Sequence, residues 1–232
     1  MRADPATLPL FTTADAERVV GTPASTARRW LDGYSYIYKG ERRTRGPRLG
    51  PTATQLEGVL LMSFLDLIEV RMARILRGRR VPWRQVDLTA AFFRREWGSE
   101  HPFGLERFRS DGRRVFAELG RETGNHKLLE IGSNQYVFDA VVAEFLSDVL
   151  DFREDGIPWR LWPNGRDGLV VVDPARAFGQ PILHNQGVPI RVILAAYAAN
   201  DNDITKVARW FDLPPPDVEA AVRFAATRRL AA

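Results

Sequence analysis

Two short helical segments separated by a glycine-containing break constrain the fold of this chain more than any other feature. Apolar residues recur at helical spacing from Thr13 to Val20, with Thr13 as the predicted N-cap, and again from Ala24 to Leu31. The intervening Gly21-Thr22-Pro23 ends the first helix. Two helices joined by such a turn are typical of a helix-turn-helix. We therefore predict this motif at residues 13–31.

A short strand and a basic turn follow the second helix. Residues 34–39 alternate at period two, and residues 40–48 combine glycine and proline with four arginines. We interpret the two segments as a strand and a basic wing, whose guanidinium groups can reach phosphates or a minor groove. A solvated basic loop is the alternative interpretation. The sequence thus predicts a winged helix-turn-helix over residues 1–80.

The positive charge of the chain is concentrated in this first third. The net charge is +4, but residues 1–80 carry +6 and the remaining residues carry −2. A basic surface can neutralise DNA phosphates and release their counterions. Hydroxyl groups and arginines near the start of a recognition helix can reach base edges in the major groove. The residues predicted to contact duplex DNA are Thr13, Ser25, Thr26, Arg28, Arg29, Tyr36, Arg42, Arg43, Arg45 and Arg48.

Long apolar stripes predict a helical middle region. Residues 54–77 repeat apolar side chains at helical spacing, which predicts one long helix. Further helices are predicted at residues 83–97 and 138–150, while residues 103–138 contain turn signals at 110–112 and 123–125. The long helix is the natural candidate for a homodimer interface, through Leu60 and Phe64. Burial of that helix within one chain is the alternative.

The C-terminal part predicts a small hairpin and then a three-helix unit. Two apolar segments at 157–163 and 169–173 flank a turn rich in asparagine and glycine, which predicts a β-hairpin. The remaining stretch contains helical segments at 189–199, 203–211 and 216–229. The predicted fold class is therefore mainly α within α+β. The predicted domains are a winged helix-turn-helix at 1–80, a helical and β-hairpin region at 81–172, and a trihelical, helix-turn-helix-like domain at 173–232.

Several chemistries are excluded or disfavoured by the sequence. The chain has no cysteine, and His101, His126 and His184 form no metal-ligand pair. It also has no GxSxG elbow and no phosphate-binding glycine loop. Instead of paired carboxylates or a Mg²⁺ site, a solvated helix end or an acidic interaction surface is the interpretation of four acidic residues, Asp148, Asp151, Glu154 and Asp155. We predict no enzyme activity, no catalytic residues, no metal and no cofactor.

The N-terminus and the most apolar stretch indicate neither secretion nor a membrane span. The N-terminus lacks the basic flank and apolar run of a signal peptide. The most apolar stretch, residues 59–70, contains two acids and is shorter than the roughly 20 residues of a membrane span. We therefore expect a cytoplasmic protein without a membrane partner.

The two tryptophans of the predicted hairpin, Trp159 and Trp162, are predicted to belong to the core, with an aromatic binding face as the alternative.

Two segments resemble known families. Residues 11–16 and 24–30, which end in Arg29-Trp30, resemble the opening helix-turn-helix of MerR-type regulators. Asp173-Pro174, Gly179-Gln180-Pro181-Ile182 and the three helices after Pro189 resemble the short antitoxin domain of unknown function family 433. That family usually has Gly-Thr-Arg before the second proline, where this chain has Asn185-Gln186-Gly187. Asparagine and glycine tolerate the positive φ of such a turn.

The combination of both segments resembles the antitoxins of non-classical VapBC pairs. The resemblance implies a type II antitoxin with two partners: double-stranded operator DNA, through which it represses its own operon, and a PIN-like ribonuclease toxin. A different hypothesis is a stand-alone MerR-like transcription regulator. It would sense a small molecule in the aromatic middle region, around Trp83, Trp97, Phe103 and Phe108.

Overall fold

The computed structural model describes residues 3–134 and 149–228. It is mainly helical with small antiparallel sheets, as the sequence predicts. The N-terminal half contains β1 (Phe11–Thr12), α1 (Thr13–Val20), α2 (Ala24–Asp32), β2 (Tyr34–Tyr38), β3 (Glu41–Arg45), β4 (Thr54–Leu56), β5 (Val59–Met62), α3 (Phe64–Gly78), α4 (Trp83–Trp97), α5 (Phe108–Thr123) and α6 (His126–Ser133). The rest contains β6 (Leu150–Phe152), β7 (Pro158–Leu161), β8 (Val170–Val172), β9 (Pro181–Leu183), α7 (Ile190–Ala199), α8 (Ile204–Trp210) and α9 (Pro215–Arg228).

The predicted helix-turn-helix is formed by α1 and α2. Its N-cap is Thr12, one residue before the predicted Thr13. The Thr12 hydroxyl accepts a bond from the Asp15 amide at 3.2 Å, and the Asp15 carboxylate accepts one from the Thr12 amide at 2.8 Å. This is a complete capping box. The prediction missed it because an N-cap at Thr13 would place Ala16, and not Asp15, at the third helical position. Gly21 ends α1 with a φ of +68°.

The segment predicted as one helix over residues 54–77 is instead a hairpin followed by a helix. Strands β4 and β5 pair through a two-residue turn in which Glu57 and Gly58 both have positive φ. Strand β1 adds to β5, so the sheet order is β1-β5-β4. Ser63 and Asp66 then form a capping box that starts α3. The prediction of a single helix was wrong because the Glu-Gly turn and the Ser63 cap outweigh apolar spacing.

Helix α3 lies in the centre of the molecule and not on its surface. Phe64 is fully buried and Leu60 on β5 is almost fully buried within this chain. The assignment of a dimer interface to these two residues is therefore wrong, because a partner cannot reach them. Burial within one chain, the alternative interpretation, accounts for the apolar stripe.

The middle region is more regular than the sequence predicts. Helix α4 has the predicted bounds, whereas α5 and α6 occupy a segment predicted to be irregular. Gly112, predicted to lie in a turn, is buried inside α5. The turn at Gly124 is confirmed by its φ of +65°. Residues 135–148 of the predicted helix 138–150 lie outside the described residues, and residues 149–150 form a turn and the start of β6, so the predicted C-terminal end of that helix is wrong.

The last third contains a four-stranded antiparallel sheet and three helices. The sheet order is β6-β7-β8-β9. Strands β7 and β8, which correspond to the two strands of the predicted hairpin, pair where Leu161 lies opposite Val172. Their connection contains a helical turn at Arg166–Gly168 instead of the predicted tight turn. The trihelical unit α7–α9 agrees with the prediction.

Two large apolar clusters form the core. The first runs from Ala6 to Val172, and the second lies under α7–α9 and begins at Val170. The first cluster contains residues on both sides of residue 80, where the first domain was predicted to end. The predicted domain boundaries stay predictions. Phe103 and Phe108 are fully buried and pack edge-to-face on Phe93, so these aromatic rings fill the core. Over the described ranges, no helix is long and apolar enough to cross a membrane.

Candidate nucleic-acid interface

Helix α2 has one buried and one exposed face. Ala27 and Leu31 are buried, and Trp30 packs edge-to-face on Trp83 with ring centroids 5.0 Å apart. Fixing these three residues orients the rest of the helix. The predicted DNA-contacting residues of α2 lie on its outer side, where Ser25, Arg28 and Arg29 are exposed and Thr26 is half-buried. The outer face thus presents the hydroxyl and guanidinium donors that a major-groove contact requires.

The two arginines of α2 make only weak surface contacts. Arg28 Nε lies 3.8 Å from the carboxylate of Asp32, and the guanidinium of Arg29 lies 5.5 Å from the ring centre of Tyr34. Asp32 also accepts a bond from the side-chain amide of Gln55 at 3.2 Å. Exposed ion pairs of this kind contribute at most about 1 kcal/mol. Both guanidinium groups can therefore exchange these contacts for a nucleic acid.

Gly33 joins α2 closely to the wing. Its φ is +79°, and a Cβ at this position would lie 2.3 Å from the carbonyl oxygen of Arg45. Only glycine combines this backbone conformation with such a close approach. The start of β2 and the end of β3 are thereby fixed relative to the recognition helix.

The wing is a hairpin of β2 and β3 closed by Lys39 and Gly40, which both have positive φ. The segment predicted to be a basic turn is therefore itself a strand. Tyr36 pairs with Arg43 across the hairpin, and the guanidinium of Arg45 lies 5.9 Å from the ring centre of Tyr36. On the opposite face, Arg42 pairs with Ile37, whose side chain is 69% exposed. Both faces of the wing thus present arginines next to apolar or aromatic surface.

Two of the predicted residues lie outside the exposed faces of α2 and of the wing hairpin. Arg48 is only 23% exposed, bonds to Asp87 of α4 at 2.5 Å and lies 5.3 Å from the ring centre of Trp83. Its backbone amide donates to the carbonyl of Trp30 at 2.8 Å. Arg48 thus attaches the base of the wing to α4. Thr13 lies in the first turn of α1, at the end of that helix away from the turn into α2.

A basic groove between the wing and α4 was missed by the sequence analysis. It is lined by Arg45, Arg48, Arg84 and Arg94, with Asp87 as the acidic member. Neither Arg45 nor Arg84 has a carboxylate within 4 Å among residues 3–134 and 149–228. Arg84 is distant from the wing in sequence, so only the tertiary fold reveals this proximity. The groove extends the positive surface of the wing onto α4.

The acidic and aromatic residues near β6 and β7 have structural contacts. Asp151 accepts a bond from the indole of Trp162 at 3.0 Å and pairs with Arg166. It lies on strand β6, so its assignment to a solvated helix end is wrong; Asp148 lies outside the described residues. Trp162 is buried as predicted, and half-buried Trp159 lies under the guanidinium of Arg160. No three His, Asp or Glu side chains of the described segments are placed to share a metal ion.

Both ends of the chain match family models. Residues 9–89 match the family described as "Putative DNA-binding HTH domain", and residues 170–225 match "Protein of unknown function (DUF433)". The chain is 26% identical over 206 residues to "Putative antitoxin VapB45" of Mycobacterium tuberculosis, which covers 83% of this chain and 84% of that protein.

A solved structure has the same fold. The crystal structure of Rv2018 from Mycobacterium tuberculosis matches with a TM-score of 0.75 at 24% identity, covering 96% of this chain and all of that one. The likeness extends over the whole architecture, from the helix-turn-helix to the last helix. The N-terminal part of the chain thus matches a putative DNA-binding helix-turn-helix family, the C-terminal part matches the DUF433 family, and most of the chain is similar to a putative VapB antitoxin.

Proposed function

We propose that this protein is the antitoxin of a type II toxin-antitoxin system and acts in the cytoplasm. It binds operator DNA through its N-terminal domain and neutralises a PIN-like ribonuclease toxin by direct contact. One observation carries the proposal: a helix-turn-helix with an exposed basic face is joined to a DUF433 domain in a chain that aligns with an antitoxin over most of its length. This is a regulatory function and not a catalytic one.

The DNA contact is supported by two sets of hydrogen-bond donors on the N-terminal surface. The exposed face of α2 offers donors for base edges, and the wing offers arginines for phosphates. One short helix reads few base pairs, so we propose that a homodimer binds a two-fold operator with half-sites about 34 Å apart or a multiple of that distance. Its interface lies outside α3, because α3 is buried within the chain.

The toxin contact is supported by the surface of the DUF433 domain. Phe178 is 81% exposed and Trp210 is 70% exposed, and exposed aromatic residues are enriched at protein interfaces. Acidic and basic residues are mixed around α8, which favours a protein partner over a nucleic acid. A ligand-sensing regulator has less support, because the aromatic residues of the middle region pack on one another.

Substitutions in α2 and in the wing should have different effects on DNA binding. Arg29→Ala is expected to weaken operator binding by about 1–3 kcal/mol while changing binding to unrelated duplexes much less, because a base contact is lost. Arg43→Ala is expected to weaken binding to all duplexes and to reduce the salt slope by about one, because a phosphate contact is lost. Fluorescence anisotropy over a series of salt concentrations measures both effects.

The matched control for both variants is Arg114→Ala, which removes an exposed arginine from α5. It should bind like the parent protein. If Arg29→Ala and the parent bound the operator with the same affinity, α2 would not be the recognition helix of this protein.

Co-expression with the protein encoded beside this chain tests the toxin contact. We expect the neighbour to arrest growth when expressed alone, to be harmless in the presence of this chain, and to co-purify with it. Phe178→Ser and Trp210→Ser should weaken the complex without lowering the melting temperature, because both side chains are exposed. The absence of both toxicity and a complex would contradict the antitoxin function, even if DNA binding persisted.

A further inference from the structure

The last helix of the DUF433 domain reaches the turn of the helix-turn-helix. Arg228, at the end of α9, has its Nη1 atom 3.1 Å from the position that a Cβ at Gly21 would occupy. The guanidinium carbon of Arg74, on α3, lies 3.6 Å from the same point. Two guanidinium groups from distant parts of the chain therefore meet beside the residue that connects α1 to α2.

These two groups are held by neutral partners. The Nη2 atom of Arg228 donates to the carbonyl of Pro163 at 2.6 Å and to the side-chain oxygen of Asn164 at 3.0 Å. Arg74 Nη1 donates to the carbonyl of Val20 at 3.4 Å. Within the described residues, neither arginine has a carboxylate within 4 Å. The nearby acid, Glu17, accepts a bond from the amide of Ala24 at 3.4 Å.

The arrangement is electrostatically unfavourable without an anion. Burial, and secondly the charge of Arg74, lower the pKa of Arg228 below its usual value. Like charges in contact repel each other, more strongly where solvent is partly excluded. A bound anion would attract both groups and offset the repulsion between them, and guanidinium groups match the geometry of phosphate oxygens.

The position of the pair favours a phosphate of the DNA backbone. The turn at Gly21 leads directly into α2, while the wing follows the other end of the same helix. Backbone phosphates border the groove that a recognition helix enters, so cations at both ends of α2 can fix its register. We propose that Arg74 and Arg228 form a phosphate-binding pair, through which the DUF433 domain takes part in the DNA contact. This inference rests on the proposed DNA-binding function.

Salt-dependent binding of Arg74→Ala and Arg228→Ala tests the inference. Each variant should lose about tenfold in affinity for operator and unrelated duplexes alike, as expected for one charge-assisted contact. Each should also reduce the salt slope by about one. Arg74→Lys, which retains the charge, should keep the parental slope.

Two controls separate charge from structure. Asn164→Ala removes a partner of Arg228 without changing the charge, so it should leave the salt slope unchanged. Arg223→Ala removes an exposed arginine from the same helix, where it pairs with Glu219, and should behave like the parent.

The outcomes distinguish this inference from the proposed function. If the parent binds its promoter and both alanine variants keep its affinity and salt slope, the pair faces away from DNA and the inference is wrong. An equal loss of DNA affinity in Arg223→Ala would overturn the inference as well, because the loss would then follow from the lower net charge of the protein and not from the phosphate-binding pair. Failure of the parent to bind any duplex would instead contradict the DNA-binding function itself.

Discussion

Replacing Gly132 by alanine is expected to destabilise this protein by about 3 kcal/mol or more, the upper range for overpacking a core. Helices α5 and α6 pack so closely that a Cβ at Gly132 would lie 1.9 Å from the backbone nitrogen of Ala117. Gly120 makes the reciprocal approach, with its Cβ position 2.4 Å from the backbone nitrogen of Leu129. Because both obstacles are backbone atoms, no side-chain rotation relieves the clash, and the helices must separate.

Thermal unfolding measures this effect. At roughly 2–4 °C per kcal/mol for a chain of this size, the melting temperature should fall by about 6–12 °C. Gly78→Ala is the matched control, because Gly78 ends α3 with open space around its Cβ position and without a positive φ. That variant should be as stable as the parent or slightly more stable, since alanine favours a helix. A Gly132→Ala protein that melted with the parent would show that α5 and α6 are not packed in this way.

Local sequence signals predicted the two ends of the molecule. The break at Gly21 and the inward spacing of Ala27 and Leu31 are properties of adjacent residues, so the helix-turn-helix was predicted from them. The three C-terminal helices were predicted for the same reason, because Asn200-Asp201-Asn202 and Asp212-Leu213-Pro214 separate them.

The middle of the chain was predicted less well because glycine has more than one structural use. Gly112 in α5 suggested a turn, but it is buried inside the helix. At Gly58, by contrast, the glycine does close a turn, and apolar spacing obscured it. The two glycines differ in backbone conformation, since Gly112 is helical and buried whereas Gly58 has a positive φ, and the sequence pattern around them does not show this difference.

The candidate site shows the same limit. Arg28, Arg29 and Arg43 were predicted because they are close in sequence to the helix or the wing that presents them. Arg84, Arg74 and Arg228 come from elements that follow much later, and the fold brings Arg84 beside the wing and the other two beside Gly21. Arg48 belongs to the basic run by sequence but bonds to Asp87 in the structure. Proximity in sequence therefore indicated the arginines of α2 and the wing, and it missed arginines that only the tertiary fold brings near these elements.

A buried carboxyl group below this surface affects the pH dependence of stability. Glu69 on α3 is fully buried; one oxygen accepts a bond from the amide of Phe103 at 3.2 Å, and the other lies 3.8 Å from Arg94. Burial raises the pKa of Glu69 to about 8, against the smaller opposing effects of Arg94 and the Phe103 amide. Asp66 and Glu100 raise the pKa further, and burial lowers the pKa of nearby His101.

The contribution of Glu69 to the stability of the protein should therefore fall as the pH rises from about 5 to 8, whereas the lowered pKa of His101 acts in the opposite direction below about 6.5. In this window Glu69 is ionised in the unfolded chain but keeps its proton in the folded one, so unfolding releases a proton. The contribution of Glu69 to the free energy of unfolding is present in full below the pKa that this residue has in the unfolded chain. It is lost as the pH rises to about 8, the pKa of Glu69 in the folded protein. Over the whole window the loss amounts to roughly 3–4 kcal/mol.

Glu69→Gln isolates this contribution. The amide keeps an acceptor for the Phe103 backbone but does not titrate, and both proteins retain His101. The difference in unfolding free energy between Glu69→Gln and the parent, measured by urea titration at each pH, should shift in favour of the variant as the pH rises to 8. Glu130→Gln, at an exposed position paired with Lys127, should follow the parent. Parallel profiles for Glu69→Gln and the parent would mean that Glu69 is ionised in the folded protein, with Arg94 compensating its burial.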